Sequence, residues 1–382
     1  MMKSNLSKLP ALQSWRSVLV LGFLILGLAT ARANGPQREF TRTINREFGI
    51  TPNGLTALYN QYGKVNVNTW ANNSVKIDIT IIVNANDQRG ADRTLDRINV
   101  NFLNMPDYVK AETMIDRGNG WWGPDFGNSC QDFKINYEVW VPAGNSLDLK
   151  NKYGNSYVGN LNGKLLAEIK YGDLRAETLG ADADLSISYG KGSITKVVNV
   201  SGQISYGGLS IGQASNVQID TKYSELKLDQ AGTLRIVSRY DDMTLGDIGE
   251  LRLQTKYADV RVQSVGSAFV TAQYTDLSLR SLTTQVDVDL TYGDLKIDAL
   301  GRNFQAVNVI GKYTDTKIYV ERGAAFRFEA EGQHTDLSYP AGAKMVRQTE
   351  KAGSSSAQGY VGDANARSVV RAKLNYGDFV LR

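Results

Sequence analysis

Apolar and polar residues alternate along most of the chain in short runs that break at a regular interval. Leu251, Leu253, Thr255 and Tyr257 occupy alternate positions, and Val286, Val288, Leu290 and Tyr292 repeat the arrangement. After a two-residue bend the alternation restarts, in Val260 and Val262 or in Leu295 and Ile297. A period of two predicts β-strands with one buried face, and the bend shifts the phase as the chain turns a corner.

The corners are near-copies of one another: "KYGDL" at Tyr171, "SYGGL" at Tyr206, "KYSEL" at Tyr223, "KYADV" at Tyr257, "QYTDL" at Tyr274, "TYGDL" at Tyr292 and "NYGDF" at Tyr376. With Tyr153, Tyr189, Tyr240 and Tyr313, the corners up to Tyr292 form a series spaced by 17 or 18 residues, with a last step of 21. His334 takes the same place 21 residues after Tyr313, and Tyr376 follows 42 residues later. Breakers such as "LGADAD" at Leu179, "DQAGT" at Asp229 and "SVGS" at Ser264 close each period. Each repeat thus holds two short strands and two turns, and such self-similarity signals units that share one core with their neighbours.

A membrane barrel and a solenoid both contain serial short strands. Strands of five to seven residues are short for a barrel, which needs about 9–11, and the outward positions carry Lys170, Arg175, Lys222, Lys227, Arg239, Lys256 and Arg261. The expected fold is therefore all-β, a β-solenoid whose coils of 17–21 residues stack as parallel strands about 4.8 Å apart. In such a stack every repeated residue becomes a ladder. Alternation places the tyrosines on the inner side near the corner, and the glycines directly after them (Gly172, Gly190, Gly207, Gly293, Gly377) are expected to take backbone angles closed to other residues.

The acids two places after each ladder residue, Asp173, Glu225, Asp242, Asp259, Asp276, Asp294, Asp315, Asp336 and Asp378, would also stack. Like charges opposed across strands are destabilising. Basic residues just before the ladder position (Lys170, Lys222, Arg239, Lys256, Lys312) and four places after it (Arg175, Lys227, Arg261, Lys296, Lys317) are expected to neutralise the column.

Outside the regular coils, 34–150 is strand-rich, with "YGKVNV" at Tyr62 resembling a corner, and is expected to form earlier, longer coils interrupted by loops. A separate amino-terminal sandwich is the alternative. The stretch at about 341–366 contains "EKAGSSSAQG", a small polar segment expected as a flexible loop excursion. A solenoid with bare ends exposes strand edges, so end-to-end self-association is expected of uncapped ends.

Residues 1–33 have the form of a signal peptide: Lys3, Lys8 and Arg16, an apolar run from Val18 to Leu28, and "ARA" at Ala31 to Ala33. That run is too short to span a bilayer, so export without a transmembrane span in the mature chain is expected. The net charge of +4 belongs to this segment, which holds four Lys or Arg and no acid; the remainder has 39 residues of each sign. Such a balance does not point to nucleic acid as a partner. Cys130 is the only cysteine and His334 the only histidine, which excludes an internal disulfide and a Cys/His metal cluster.

"YEVWVPAGNSLDLKNKYGN" at Tyr137 to Asn155, the serial "YGDL" corners and the terminal "NYGDFVLR" resemble the bacterial putative-adhesin family of β-solenoids, largely a domain of unknown function. The resemblance runs from about Tyr62 to Arg382. It implies a single-stranded, right-handed parallel β-helix in the cell envelope of a Gram-negative bacterium, in the periplasm or at the surface, and it transfers no site residues.

The expected function is a non-enzymatic binding scaffold, a putative adhesin that meets a surface polysaccharide or an envelope protein, without a cofactor. The loop "RGNGWWGPDFGNSC" offers Trp121, Trp122 and Phe126 as ligand-binding aromatics. The alternative is a β-helix enzyme acting on polysaccharide, since glycosidases need two carboxyls roughly 5–10 Å apart. Asp125 and Asp132 beside the tryptophans are its first candidates. The evenly spread acid column favours turn capping instead, because Asp bonds its own backbone in turns.

Overall fold

The computed structural model describes residues 38–116 and 133–382. Their architecture is all-β and solenoid-like. Leu165–Lys170 pairs in parallel with Ser146–Lys152 on one side and Ala183–Ser188 on the other, so that Ile169 lies between Asn151 and Ile187. Leu174–Leu179 pairs likewise with Ser156–Val158 and with Lys191–Ser205. Each coil places the strand that enters its corner in one sheet face and the strand that leaves it in the other. From Glu225 to Leu279 the strand conformation runs unbroken through the corners.

Inward residues of the two faces meet in one thin core. Columns such as Ile169, Ile187, Ile204 and Leu226, Val260, Leu277 are buried. The inward position two before the ladder residue turns polar at Asn60, Asn151, Thr221, Ser238 and Thr255, all buried. These groups find partners within the stack: Asn151 Nδ2 donates to the carbonyls of Gly63 and Gly154 at 3.0 Å, and the Ser238 and Thr255 hydroxyls bond at 2.9 Å.

Among the described residues of the amino-terminal end, the corner at Tyr62 repeats the backbone conformation of the later ones. Leu55–Gln61 takes Tyr108–Ile115 in parallel on its outer side, and Ile98–Met105 pairs antiparallel beyond that. Val65–Trp70 takes Phe133–Pro142 in parallel, followed by Ser74–Ala85 and Arg38–Gly49, both antiparallel. Parallel strands thus continue the stack by one level on each face, and antiparallel strands lie beyond them, because alternation in "VKIDIT" specifies a half-buried strand but not the direction of its neighbour. The helix Gln88–Leu95, capped by the Asp87 carboxylate on the Gly90 N–H at 2.7 Å, lies between two of these strands in sequence.

At the other end the order of coils in space departs from their order in the chain. Val369–Asn375 pairs in parallel with Ala306–Val320 on one side and with Phe326–Gln333 on the other. The final coil is therefore inserted between the two that precede it. Ser354–Val361 then pairs antiparallel with Phe326–Gln333, and Lys344–Lys351 antiparallel with Ser354–Val361. The excursion at 341–366 is thus chiefly a β-hairpin rather than a loop: pairing with an existing edge holds small polar residues in a strand that their own propensity disfavours. Antiparallel strands therefore lie outside the stack on both faces at the amino-terminal end and on the face of Phe326–Gln333 at the other.

Candidate functional site: the tyrosine edge

The rings of Tyr62, Tyr153, Tyr171, Tyr189, Tyr206, Tyr223, Tyr240, Tyr257, Tyr274, Tyr292, Tyr313, Tyr376 and His334 stack in that order. Successive centroids are 4.8–5.1 Å apart and the planes lie within 2–17° of each other. The spacing is that of neighbouring strands. Among the described residues these thirteen are also the only non-glycine residues with positive φ, between 51° and 61°. The left-handed conformation costs an ordinary residue about 1–2 kcal/mol, and a stacked aromatic pair contributes about 0.5–1.5 kcal/mol. An inner rung has two such neighbours, enough to hold tyrosine where local preference alone favours glycine or asparagine.

The tyrosines do not face inward as alternation suggests. The eleven from Tyr153 to Tyr376 are 40–51% exposed. Thr255 points in and Lys256 out, but Tyr257, with φ of 57°, is not extended, so the alternation cannot be carried through it. Lys256 and Tyr257 both face solvent, and the inward phase resumes at Ala258. The phase shift at the bend was the available signal, since one residue had to absorb it.

The glycine after the tyrosine serves close approach in most corners. A Cβ on Gly172, Gly190 or Gly207 would lie 1.9–2.1 Å from the carbonyl oxygen of the glycine one coil below, while Gly293 and Gly377 do adopt positive φ, 132° and 127°. Elsewhere that position is filled by an inward side chain, including buried Ser224, Asp241, Thr275 and Thr314. The Asp241 carboxylate accepts from the Thr221 hydroxyl at 2.7 Å, the Ser224 N–H at 2.6 Å and the Arg239 N–H at 3.0 Å.

Stacking covers the ring faces. Phe133 closes the first rung edge-on to Tyr62, at 5.3 Å and 67°. Gly353, at the hairpin turn, closes the last: it accepts the His334 N–H at 2.9 Å, and a Cβ there would meet His334 Cε1 at 3.0 Å. What the ladder offers to solvent is ring edges and phenol groups. Among the described residues the hydroxyls from Tyr153 to Tyr376 have no hydrogen-bond partner.

The acid column borders the ladder on the face that leaves the corner, and several of its members cap the next coil. Asp173 Oδ1 accepts the Lys191 N–H at 2.8 Å, Asp276 Oδ1 that of Asp294 at 3.0 Å, and Asp315 Oδ1 that of Asp378 at 2.9 Å. Neutralisation by the basic column four places on is only partial. Lys227 pairs with Glu225 at 2.6 Å and Arg261 with Asp259 at 3.6 Å, but Arg175 turns to Glu177 and Lys296 to Asp298. On the other border Lys152, Lys222 and Lys312 place Nζ 4.8, 5.3 and 5.8 Å from the centroids of their ladder rings. Burial, and then the carboxylates of Asp276 and Asp315, raise the Asp294 pKa above the ordinary carboxylate value, whereas the bond from Lys227 lowers that of Glu225.

Trp121, Trp122 and Phe126, with Asp125, Cys130 and Asp132, lie outside the described residues. His334 is the terminal rung of the ladder. Among the described residues no group of three or more His, Cys, Asp or Glu is placed to hold a metal ion, and no helix is long and apolar enough to cross a membrane.

Comparison with solved structures finds similarity to a putative cell adhesion protein from Clostridium sporogenes ATCC 15579, at 8% identity over 90% of this chain and 98% of that one, with a TM-score of 0.16. Putative adhesins from Parabacteroides distasonis ATCC 8503 (9% identity, 73% and 93% covered, TM-score 0.28) and Bacteroides fragilis NCTC 9343 (10%, 89% and 97%, 0.22) are also similar. No curated protein matches the sequence. The sequence pattern of the Toastrack DUF4097 family, by contrast, matches residues 195–382, the stretch that holds the ladder from Tyr206 to Tyr376. Those residues thus match the Toastrack DUF4097 family, a domain of unknown function like the one the chain's repeated corners resemble.

Proposed function

We propose that the protein is a non-enzymatic binding scaffold of the cell envelope, exported by its first 33 residues, whose tyrosine edge and flanking charged columns meet a surface polysaccharide or an envelope protein. The observation that supports this is the continuous exposure of one ladder along one edge. Catalysis needs different groups converging at one place, and the described residues instead repeat the same groups at every level. A right-handed winding in coils of 17–21 residues, and a place in the periplasm or at the surface of a Gram-negative bacterium, belong to the same reading. Since the ladder's ring faces are covered, a sugar would meet it through hydrogen bonds to the phenols. Trp121, Trp122 and Phe126 are the residues proposed to supply free aromatic faces.

Retention of the purified protein on isolated envelope polysaccharide, with newly formed reducing ends assayed in the same sample, tests this reading. Saturable retention without new ends is expected. It should weaken both in a variant with Lys222, Arg239 and Lys256 changed to alanine and in one with Trp121, Trp122 and Phe126 changed to alanine. New reducing ends would favour the enzyme; absence of retention by the parent would remove polysaccharide as the ligand.

A further inference from the structure

The borders of the ladder differ in sign. On the strand that enters the corner, the outward residue before the tyrosine is Lys170, Lys222, Arg239, Lys256 or Lys312 at the Tyr171, Tyr223, Tyr240, Tyr257 and Tyr313 rungs. On the strand that leaves it, the same rungs carry Asp173, Glu225, Asp242, Asp259 and Asp315. Three consecutive rungs at the middle of the ladder, Tyr223, Tyr240 and Tyr257, therefore have a cation on one side of the ring row and an anion on the other.

That asymmetry restricts which symmetric contacts the edge can make. Two copies can face each other edge to edge by one of two rotations. A two-fold axis across the stack makes the copies antiparallel and keeps each border on its own side, so Arg239 meets Arg239, Lys222 meets Lys256 and Glu225 meets Asp259. A two-fold axis along the stack makes them parallel and exchanges the borders. Every rung then meets its own counterpart, with Lys222 opposite Glu225, Arg239 opposite Asp242 and Lys256 opposite Asp259. Rungs with an acid but no cation, at Tyr274, Tyr292 and Tyr376, place that acid against Gln273, Thr291 or Asn375 rather than against another acid.

We propose that the tyrosine edge is the interface between two copies of this chain, parallel and in register about a two-fold axis along the stack. The proposal rests on the reading of this edge as a contact surface and names its partner. Both copies share one repeat of 4.8–5.1 Å along the ladder, so one rung in register sets its neighbours in register. The contact is isologous, as closed dimers require. The available area is sufficient: eleven tyrosines 40–51% exposed, at about 200 Å² per aromatic side chain, provide roughly 1,000 Å² per copy before the flanking columns are added, against about 800 Å² per partner in a standard interface. Tyrosine suits such a contact, being enriched in interface cores, while the charged borders fix register and orientation more than affinity.

Light scattering of the purified protein during size-exclusion chromatography, over a range of concentrations, is expected to give the mass of a dimer. Two reversal variants test the borders: Lys222→Glu with Arg239→Glu and Lys256→Glu, and Glu225→Lys with Asp242→Lys and Asp259→Lys. Each alone is expected to raise the dimer dissociation constant at least tenfold, and an equimolar mixture to restore dimers, which also shows that both variants remain folded. Direction is tested in a Cys130→Ser background by mixing Lys170→Cys with Asp173→Cys copies and adding a flexible bis-maleimide linker: a covalent heterodimer is expected, because these positions face each other only in the parallel arrangement, held by the tyrosine side chains between them too far apart for a direct disulfide. A monomeric parent at tens of micromolar, dimers indifferent to both reversals, or mixtures that stay monomeric would overturn the proposal. So would failure of the cysteine pair to link. A monomeric parent that is still retained on envelope polysaccharide would sink the dimer and leave the binding scaffold standing.

Discussion

His334 stacks on Tyr376, a residue 42 positions later in the chain, with ring centroids 4.9 Å apart and planes within 9°. Tyr376 stacks in turn on Tyr313. The last coil is thus held on both sides, and the coil that ends at His334 depends on it for its inner neighbour.

Phe379, 1% exposed, anchors that inserted coil and pairs with Thr316 on one side and Leu337 on the other. Phe379→Ala should cost about 3–5 kcal/mol. In a repeat stack the loss stays near its site: amide exchange should accelerate over 326–361 and remain unchanged over 146–205. Uniform acceleration would show that the stack unfolds as one unit.

Left-handed strain and stacking act in opposite directions at each inner rung, and Tyr240 separates them. Tyr240→Phe keeps the stack and should leave stability within about 0.5 kcal/mol of the parent. Tyr240→Gly loses two stacked contacts but relieves about 1–2 kcal/mol of strain, whereas Tyr240→Ala loses the contacts and keeps the strain. Urea unfolding should rank them Phe, Gly, Ala, and alanine above glycine would contradict this account of the corner.

Gly190 has no room for a side chain, since a Cβ would lie 1.9 Å from the Gly172 oxygen, while nothing lies within 4 Å of a Cβ on Gly342. Gly190→Ala should therefore open the backbone between two coils and lower the melting temperature by several degrees, and Gly342→Ala should leave it nearly unchanged. Equal effects from the two would mean that the corner adjusts without loss.

Asp294 and Glu225 should give opposite pH dependences. The folded state raises the Asp294 pKa, so it binds the proton more tightly than the unfolded chain. This contribution favours folding fully below the ordinary carboxylate pKa and disappears as pH rises through the folded value. Glu225, lowered beside Lys227, favours folding above its ordinary pKa, an effect lost as pH falls through the lowered value. Between pH 3 and 7, Asp294→Asn should remove a gain in stability on acidification and Glu225→Gln a loss. Melting curves across that range in which either substitution produced the other's sign would refute the assignment.

The repeat, the strand pairs, the two-turn coil and the stacked ladder were legible because they follow from local alternation and a fixed interval. The exposure of the tyrosines was not. Alternation assumes extended backbone, and the ladder residues are the ones that leave it. Nor could the sequence place Tyr376 between Tyr313 and His334, since a repeat specifies what kind of neighbour a coil needs and not which coil supplies it. The segment around Ser354 looked like a loop for a related reason: its residues favour no strand until Phe326–Gln333 offers an edge. The borders of opposite sign were visible as residue types, but their use depends on knowing that the rings between them face outward.

From Tyr171 to Tyr313 the changes in coil length fall on the side away from the tyrosines. The longer coils after Tyr292 and Tyr313 take up their extra residues in turns closed by the Phe304 N–H on the Gly301 carbonyl and the Ala324 N–H on that of Glu321. The large departures between Trp70 and Ser146 and between Ser338 and Val369 leave from that same margin. One edge is thereby constrained to a constant pitch while the other tolerates length variation. Foreign sequence grafted into the turn at 301–304 would be displayed without disturbing the ring stack, and natural insertions can accumulate there while the aromatic edge keeps its register.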